Sequence, residues 1–366
     1  AVAYLLGCPS EFDLSSKAMG TLRSFSSFEG LDSTCEEKGS SLFDVHFRKL
    51  FAMIVATAPP FPWKQSEPAL LAVDALLRAC SGSTVGSSFD MVAPFFISHL
   101  STMDYNNNST DGAQHPCSNG DKLNDEMHED YSLRISLMAM LQTILTDKSF
   151  SNALTTQQCG PSNDVSSSFS AQFTADVILS IVLPNLVWRV GGMASALRKL
   201  SLATLFSLLI GRTALIHPDI LSCLIPTLHS SFDDADSSVR ELSCVCLSLT
   251  IQQVSNEMFS ITWENNPQAI DTILPRLLEL LDDSHGPVRI AVCNCLRDLF
   301  PLVQSNISLS SHETITASLL IQLDDPDENF QSQVFQALSK LVELQSQYKD
   351  SGVVEMMARQ INSSMK

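Results

Sequence analysis

Basic residues are scarce in this chain. Lys and Arg total 22 against 40 Asp and Glu, which leaves a net charge of −18 over 366 residues. A surface of that sign repels phosphate backbones and anionic headgroups, so the reading carries no nucleic-acid partner and no membrane partner. Charge of either sign is thin, at 17% of residues against ~25% in an ordinary soluble domain. No run reaches the ~20 consecutive apolar residues of a bilayer span; the longest candidate, 177–190, is interrupted by Pro184, Asn185 and Arg189. Phosphate-binding loops of the Gly-x-Gly-x-x-Gly or Gly-Lys-Ser/Thr kind are missing, as are Gly-x-Ser-x-Gly and His-Glu-x-x-His. No Ser, His and Asp spacing pairs a nucleophile with a base. The sequence thus predicts no enzyme, no catalytic residue and no cofactor. Ten cysteines are too sparse for a disulfide scaffold and imply a reducing compartment. The first residues, Ala-Val-Ala-Tyr-Leu-Leu-Gly-Cys, have neither an initiator Met nor a basic leader, so the chain is expected to begin inside a longer protein.

What the chain does have is a repeat. Pro184, Pro226 and Pro275 each stand seven residues before a pair: Gly191-Gly192, Asp233-Asp234 or Asp282-Asp283. Seven residues after the first member of each pair comes an Arg behind an aliphatic residue: Leu197-Arg198, Val239-Arg240 and Val288-Arg289. A fourth copy supplies Asp324-Asp325 but has Ala317 for the Pro and Phe330-Gln331 for the aliphatic–Arg step. The anchors at 191, 233, 282 and 324 are spaced by 42, 49 and 42 residues. That is the period of helix-pair solenoids.

The helical pattern inside the units agrees. From Val288, apolar residues recur at Val292, Cys295, Leu299 and Val303, while Arg289, Asn294, Arg297 and Asp298 fall off the stripe. Asp-Asp joins each helix pair with turn and cap chemistry. A Pro at a fixed place in the first helix removes a donor and builds a bend into the unit.

Pro in the first helix, Asp at the turn and Val-Arg opening the second resemble the HEAT repeat. The resemblance implies an all-α, HEAT/armadillo-like right-handed α-solenoid of stacked antiparallel helix pairs. It also implies a ladder of turn Asp and helix Arg between units, here Asp233, Arg240, Asp282, Arg289 and Asp324. Gly191-Gly192 and Gln331 depart from the motif, so the ladder should be short. Partly exposed pairs of this kind contribute ~0–1 kcal/mol each, leaving apolar stacking to hold the array.

Upstream the grammar is looser. Residues 91–100, with Pro94, read as a first helix, and 131–145, with Leu133-Arg134, read as its second. Between them lie 26 residues more than the regular unit needs, rich in Asn, Ser, Asp and Gly. An earlier pair is predicted at 42–57 and 67–80. The expected layout is an N-terminal helix or loop over 1–40, irregular pairs over 41–172, four regular repeats over 173–345 and a capping helix over 346–366. The irregular part contains a disordered acidic insertion over 102–130 and a Ser-rich connector over 151–172.

Other constellations have bland readings. Cys244-x-Cys246 and Cys293-x-Cys295 place thiols ~200° apart on a helix, which suits core filling and not a shared metal. His115, Cys117 and His128 lie with Asp111, Asp121 and Asp125 in the insertion at no recognised zinc spacing, and no metal ligand is assigned. Among the tryptophans, Trp188 and Trp63 read as packing, and Trp263, in the extra length of the 49-residue unit, is the candidate partner contact.

The ordered set is more specific than any one motif. Asn185-Leu-Val-Trp with Ala196-Leu-Arg-Lys, the stretch 274–291 and Leu319-Leu-Ile-Gln-Leu-Asp-Asp-Pro-Asp together are similar to the C-terminal repeats of the axonemal dynein assembly factors of the HEAT class. That resemblance implies a cytoplasmic, non-catalytic scaffold in the preassembly of dynein arms for motile cilia, found in dynein-assembly foci of ciliated cells. Axonemal dynein chains, chaperones and other assembly factors are the implied protein partners. Two readings stay open beside it: a general HEAT adaptor of the transport or phosphatase-scaffold kind, and a metal-binding protein using the 102–130 insertion.

Overall fold

A computed structural model describes residues 42–58, 63, 68–101, 120–156, 175–210, 217–254, 268–303 and 309–347. Every regular element among them is helical, and none is a strand. The chain divides into two units, residues 1–185 with 190–214, and residues 186–189 with 215–366.

Unit 1 begins with α1 (Leu42–Thr57) and α2 (Pro68–Ala79), which pack as a pair. Pro68 opens α2, where a missing N–H costs nothing. Ser81 caps the short α3 (Gly82–Ser87) by accepting from the Thr84 amide at 3.3 Å. Next come α4 (Phe89–Leu100), α5 (Gly120–Thr146) and α6 (Lys148–Thr156). A π-helical turn (Ile178–Val182) runs into α7 (Leu183–Leu186), and α8 (Gly192–Ile210) follows.

Phenylalanines fill the unit 1 core. Phe51 meets Phe95 edge-on at 5.8 Å, and Phe89 meets Phe150 at 5.0 Å. Such pairs contribute beyond their buried area. Gly86 lets α3 lie on α6: a Cβ there would sit 3.0 Å from the Ala153 Cβ and 3.1 Å from the Phe150 carbonyl oxygen. Among the described residues one helix, α8, is long and apolar enough to cross a membrane. More than half of its apolar window is buried, and it packs along α5.

Two expectations shift here. The second helix read from Tyr131 opens instead at Gly120, eleven residues into what the sequence assigned to the acidic insertion. Five carboxylates at 121–130 lie in its N-terminal part; a composition that reads as solvated chain is equally compatible with a helix start, whose first turn favours negative charge. Likewise α6 extends to Thr156, inside the stretch read as a Ser-rich connector. Residues 1–41, 102–119, 157–174 and 348–366 lie outside the described set, and with them most of the expected N-terminal segment, insertion, connector and capping helix.

Among the described residues, unit 2 shows three helix pairs in chain order. They are α9 (Pro218–Ser230) with α10 (Ser237–Gln253), α11 (Gln268–Glu279) with α12 (Gly286–Val303), and α13 (Leu309–Ile321) with α14 (Glu328–Gln347). A 3-10 turn ends each first helix: Ser231–Asp233, Leu280–Asp282 and Gln322–Asp324. The second helices stack closely, α10 on α12 and α12 on α14, while the first helices touch sparsely. Val239, Leu247, Val288, Leu296, Phe330 and Leu341 are buried in that stack. The predicted stripe is therefore the packed face. Neither helix of a pair could bury it alone, which is the physical reason for stacking.

Candidate functional site

The same turn is built three times in unit 2, without glycine at its centre. The second Asp of each pair is extended, with φ/ψ of −65/142 at Asp234, −60/141 at Asp283 and −65/140 at Asp325. Its Oδ1 accepts the amide two residues on: Asp236 at 3.0 Å, His285 at 2.9 Å and Asp327 at 2.8 Å. Asp236 then caps α10 through the Ser238 amide at 2.9 Å, and Asp327 caps α14 through Asn329 at 2.9 Å. Asp is suited to both tasks because its short carboxylate reaches its own backbone.

From this turn, side chains reach the neighbouring pair. Arg240 donates through Nε to Asp283 Oδ2 at 2.7 Å and through Nη2 to Asp283 Oδ1 at 3.0 Å, a fork on one carboxylate. Its Nη1 closes its own turn on the Asp234 and Ala235 carbonyls, at 2.7 and 3.3 Å. Arg289 repeats the step onto Asp325 and lies 4.4 Å over the Phe330 ring. The rungs are thus Arg240–Asp283 and Arg289–Asp325.

This corrects the expected ladder, which assigned the first Asp of each pair. Asp233 and Asp282 end the 3-10 turns and reach forward to the next first helix: Asp233 pairs with Arg276, and Asp282 accepts from Gln322 Nε2 at 2.7 Å. Asp324 holds the equivalent turn position. The inward carboxylate is the extended one, a residue later. The expected energetics change too. With side chains 15% and 6% exposed, Arg240 and Asp283 form a half-buried pair, and removing the carboxylate would leave Arg240 with only its carbonyl partners. The surface value of ~0–1 kcal/mol suits Asp233 instead, which is 63% exposed.

Electrostatics follow the geometry. Burial would raise the Asp283 carboxyl, but the Arg240 hydrogen bonds, the His285 amide and the Arg240 charge outweigh it and hold the group below its ordinary 3.8. The same hydrogen bonds raise Arg240. Asp325 is lowered by the Asp327 amide first and by Arg289 second.

Where the motif departs, substitutes appear. Gln331 stands at the Arg position and donates to its own turn, to Leu323 O at 3.0 Å and Asp325 O at 2.7 Å. It keeps the turn-closing half of the Arg task without the charge. In unit 1, Arg134 reaches the Leu100 carbonyl at 3.4 Å and Asn185 Oδ1 at 3.1 Å, and Asn185 donates to Leu100 O and Ile181 O at 3.1 and 2.7 Å. Gly191-Gly192 offers no carboxylate, and Gly191 adopts φ +115°, open only to glycine without strain.

A second polar line joins the second helices. Asp298 Oδ2 accepts from Ser248 at 2.5 Å and from Gln252 at 2.7 Å, so α12 is tied to α10. Arg297 Nη1 donates to Gln336 Oε1 on α14 at 3.3 Å. The off-stripe position of Arg297 and Asp298 was visible in sequence; their partners, about a repeat away, were not.

The other candidate residues separate. Cys244, Cys246, Cys293 and Cys295 are buried, and burial raises each thiol. Cys80 is pushed up to about 12 by burial and then by Asp44, so it offers no thiolate at neutral pH. Trp63 is buried, 5.5 Å from Phe95 and 4.7 Å from His99. Trp188 is a correction: it is 63% exposed, with Val187 and Val190 exposed beside it. Its helix ends at Leu186, before the packed face can claim it. Trp263, His115, Cys117 and Asp111 lie outside the described residues, and Asp121, Asp125 and His128 fall on the first turns of α5. Among the described residues no three His, Cys, Asp or Glu side chains cluster as metal ligands would.

Comparison with known proteins adds a family motif and a set of relatives. Residues 273–303, from the middle of α11 through α12, match the HEAT repeat model. The chain carries a HEAT repeat. It is similar to dynein axonemal assembly factor 5 of Homo sapiens, 23% identical over 333 residues, covering 89% of this chain and 33% of that protein. The protein of the same name from Xenopus laevis is 26% identical over 176 residues, covering 46% of this chain and 20% of the relative. The chain therefore spans between a fifth and a third of the length of these relatives. Among solved structures, Kap95p bound to RanGDP superposes with a TM-score of 0.46 at 14% identity, covering 99% of this chain and 37% of that one. An engineered protein gives 0.44 at 13% identity, with 81% and 96% covered.

Proposed function

We propose that this chain is part of a non-catalytic protein-binding scaffold serving the cytoplasmic assembly of axonemal dynein arms for motile cilia. The observation that carries the reading is the similarity to dynein axonemal assembly factor 5 over 333 residues, together with the HEAT repeat inside unit 2. The site geometry supports a scaffold role. Its charged side chains are spent on one another, Arg on Asp between pairs and Asp on backbone amides within turns. What remains for a partner is the outer surface of the stacked second helices, where Gln252 and Gln336 are exposed. Many weak contacts along such a surface hold a large client without a deep pocket. Dynein chains, with chaperones and other assembly factors, are the proposed partners.

Affinity capture of the tagged chain from differentiating ciliated cells, read by mass spectrometry, tests this. Axonemal dynein chains or their assembly factors should be enriched over a capture with an unrelated HEAT protein. Recovery of neither class would overturn the assignment, and enrichment of transport receptors or phosphatase subunits alone would favour a general adaptor.

A further inference from the structure

In unit 1, α2 packs on α1 and α5 packs on α8, and a cleft of about 220 Å³ stays open between α2, the start of α3 and the end of α5. Leu77, Val85, Met140 and Ile144 make its walls apolar. Pockets that enclose a whole small ligand run from about 300 Å³ upward, so this one has the size for a single side chain. Its charges are few. Asp74 is already answered by Arg78, one turn along α2, at 2.8 Å. Cys80 carries no charge at neutral pH, because burial and Asp44 raise its thiol. Asp147 is the charge left over. Its Oδ1 accepts the Ser149 amide at 2.7 Å, while Oδ2 accepts no hydrogen bond from the described residues. Gly82 is what lets this carboxylate stand on the cleft wall: a Cβ there would lie 2.5 Å from the Asp147 Cγ and collide with Oδ2. Lys148 follows in sequence but does not line the cleft.

Charge complementarity names the occupant. The lining holds two carboxylates against one guanidinium, and the whole chain, at −18, draws basic partners. One cation on an apolar stem matches such a cleft. Arginine suits it better than lysine: a guanidinium is less strongly hydrated than an ammonium, loses less on entering apolar walls, and offers a planar fork to a carboxylate. Its methylenes would lie along the apolar walls, as long basic side chains do wherever their heads stay near water. We propose that this cleft receives one arginine side chain of a partner polypeptide, with the guanidinium on Asp147. This goes beyond the scaffold reading, since the cleft selects a side chain whichever client carries it.

NMR of the 366-residue chain, labelled at its methionine methyls, tests it with Nα-acetyl-arginine methylamide as the probe. The Met140 methyl should shift on titration while the methyl of buried Met138 stays in place. The neutral isostere, Nα-acetyl-citrulline methylamide, should leave Met140 unmoved. Asp147→Asn keeps a cap for the Ser149 amide but removes the charge, and should weaken the probe about fivefold. No shift at Met140, an equal shift with the citrulline or lysine analogue, or equal binding by Asp147→Asn would overturn the proposal. So would free arginine binding about tenfold more tightly than the blocked probe, because a metabolite site reads the α-amino and carboxylate groups that a residue within a chain lacks. Should Asp147→Asn move Met138 as well, and so disturb the fold, the parent chain decides with its aliphatic methyls labelled. Overhauser contacts from the probe's δ-methylene to Leu77, Val85 and Ile144 are then expected, and their absence would again overturn the proposal.

Discussion

At the scale of single residues, two adjacent carboxylates do different work. Asp283 is gripped by Arg240 in a half-buried fork, whereas Asp282 accepts from the Gln322 side-chain amide at the surface. Asp283→Asn should therefore cost about 2 kcal/mol in urea denaturation, since it leaves the half-buried Arg240 without its charge partner. Asp282→Asn should cost under about 0.5 kcal/mol. The pH dependence follows with a definite sign. Asp283 has a lowered carboxyl in the fold, so its contribution is complete above the unfolded value, near 4, and fades as pH falls through the folded one. Acid titration of the parent should lose stability below about pH 4, and Asp283→Asn should flatten that loss. His99 acts at higher pH. Burial lowers it to about 4, against the pull of the Phe95 carbonyl. The fold thus binds fewer protons than the unfolded chain between about pH 4 and 6.5, and stability should fall as pH drops through that window. His99→Phe should remove the slope, as thermal melts at pH 7 and pH 4.5 would reveal.

Which Asp turns inward could not be read from spacing. Both members of each pair lie within a residue of the same distance from the Arg, and the choice is made by backbone conformation: the first closes a 3-10 turn and the second is extended. Trp188 escaped for a related reason. Its neighbours Leu186 and Val187 continue the apolar run, yet the helix stops at Leu186, and a stripe means burial only while the helix lasts.

At the scale of elements, the pattern was legible where it repeats. The Pro, the Asp pair and the aliphatic–Arg step place α9 to α12 in order, because each marks a physical boundary: a bend, a turn and the start of a packed stripe; the Asp pair alone carries the register into α13 and α14. The reading weakened where composition alone had to decide. Acidic residues at the start of α5 and serines in α6 look the same in sequence whether they cover a helix or a loop. The π-helical turn before Pro184 left no signal, since one extra residue per turn changes no residue type. Packing between elements gives its own test at Gly86, where α3 and α6 approach within a methyl group's reach. Gly86→Val should force the Phe150 backbone aside and cost about 2 kcal/mol, measured as a lower urea midpoint with an unchanged slope. At the helix ends, Asp236→Ala removes the bond to the Ser238 amide and should cost about 1 kcal/mol.

Across the molecule, the fold class was visible from a 42-to-49-residue period, but the client was not, because a surface built for many weak contacts has no signature residue. The similarity to dynein axonemal assembly factor 5 supplies that part of the proposal. If the second-helix surface of unit 2 receives the client, Arg297→Glu should reduce capture of dynein subunits about tenfold, the equivalent of 1.4 kcal/mol. The change should leave the melting temperature nearly as it was. Trp188→Ala, on an exposed stretch that belongs to none of those helices, offers the contrast, and equal losses in both would argue against a single client surface.

The rungs of unit 2 run between turn and second helix, and the first helices barely touch across pairs. A stack packed closely along one seam, and joined along the other mainly by surface ties such as Asp233 with Arg276, is stiffer on its second-helix side, as a book is at its spine. Its pages can fan apart by changing the tilt between pairs while the Arg240–Asp283 and Arg289–Asp325 rungs stay closed. In the proposed scaffold role, girth rather than detailed shape is then what such a grip would adjust to most easily.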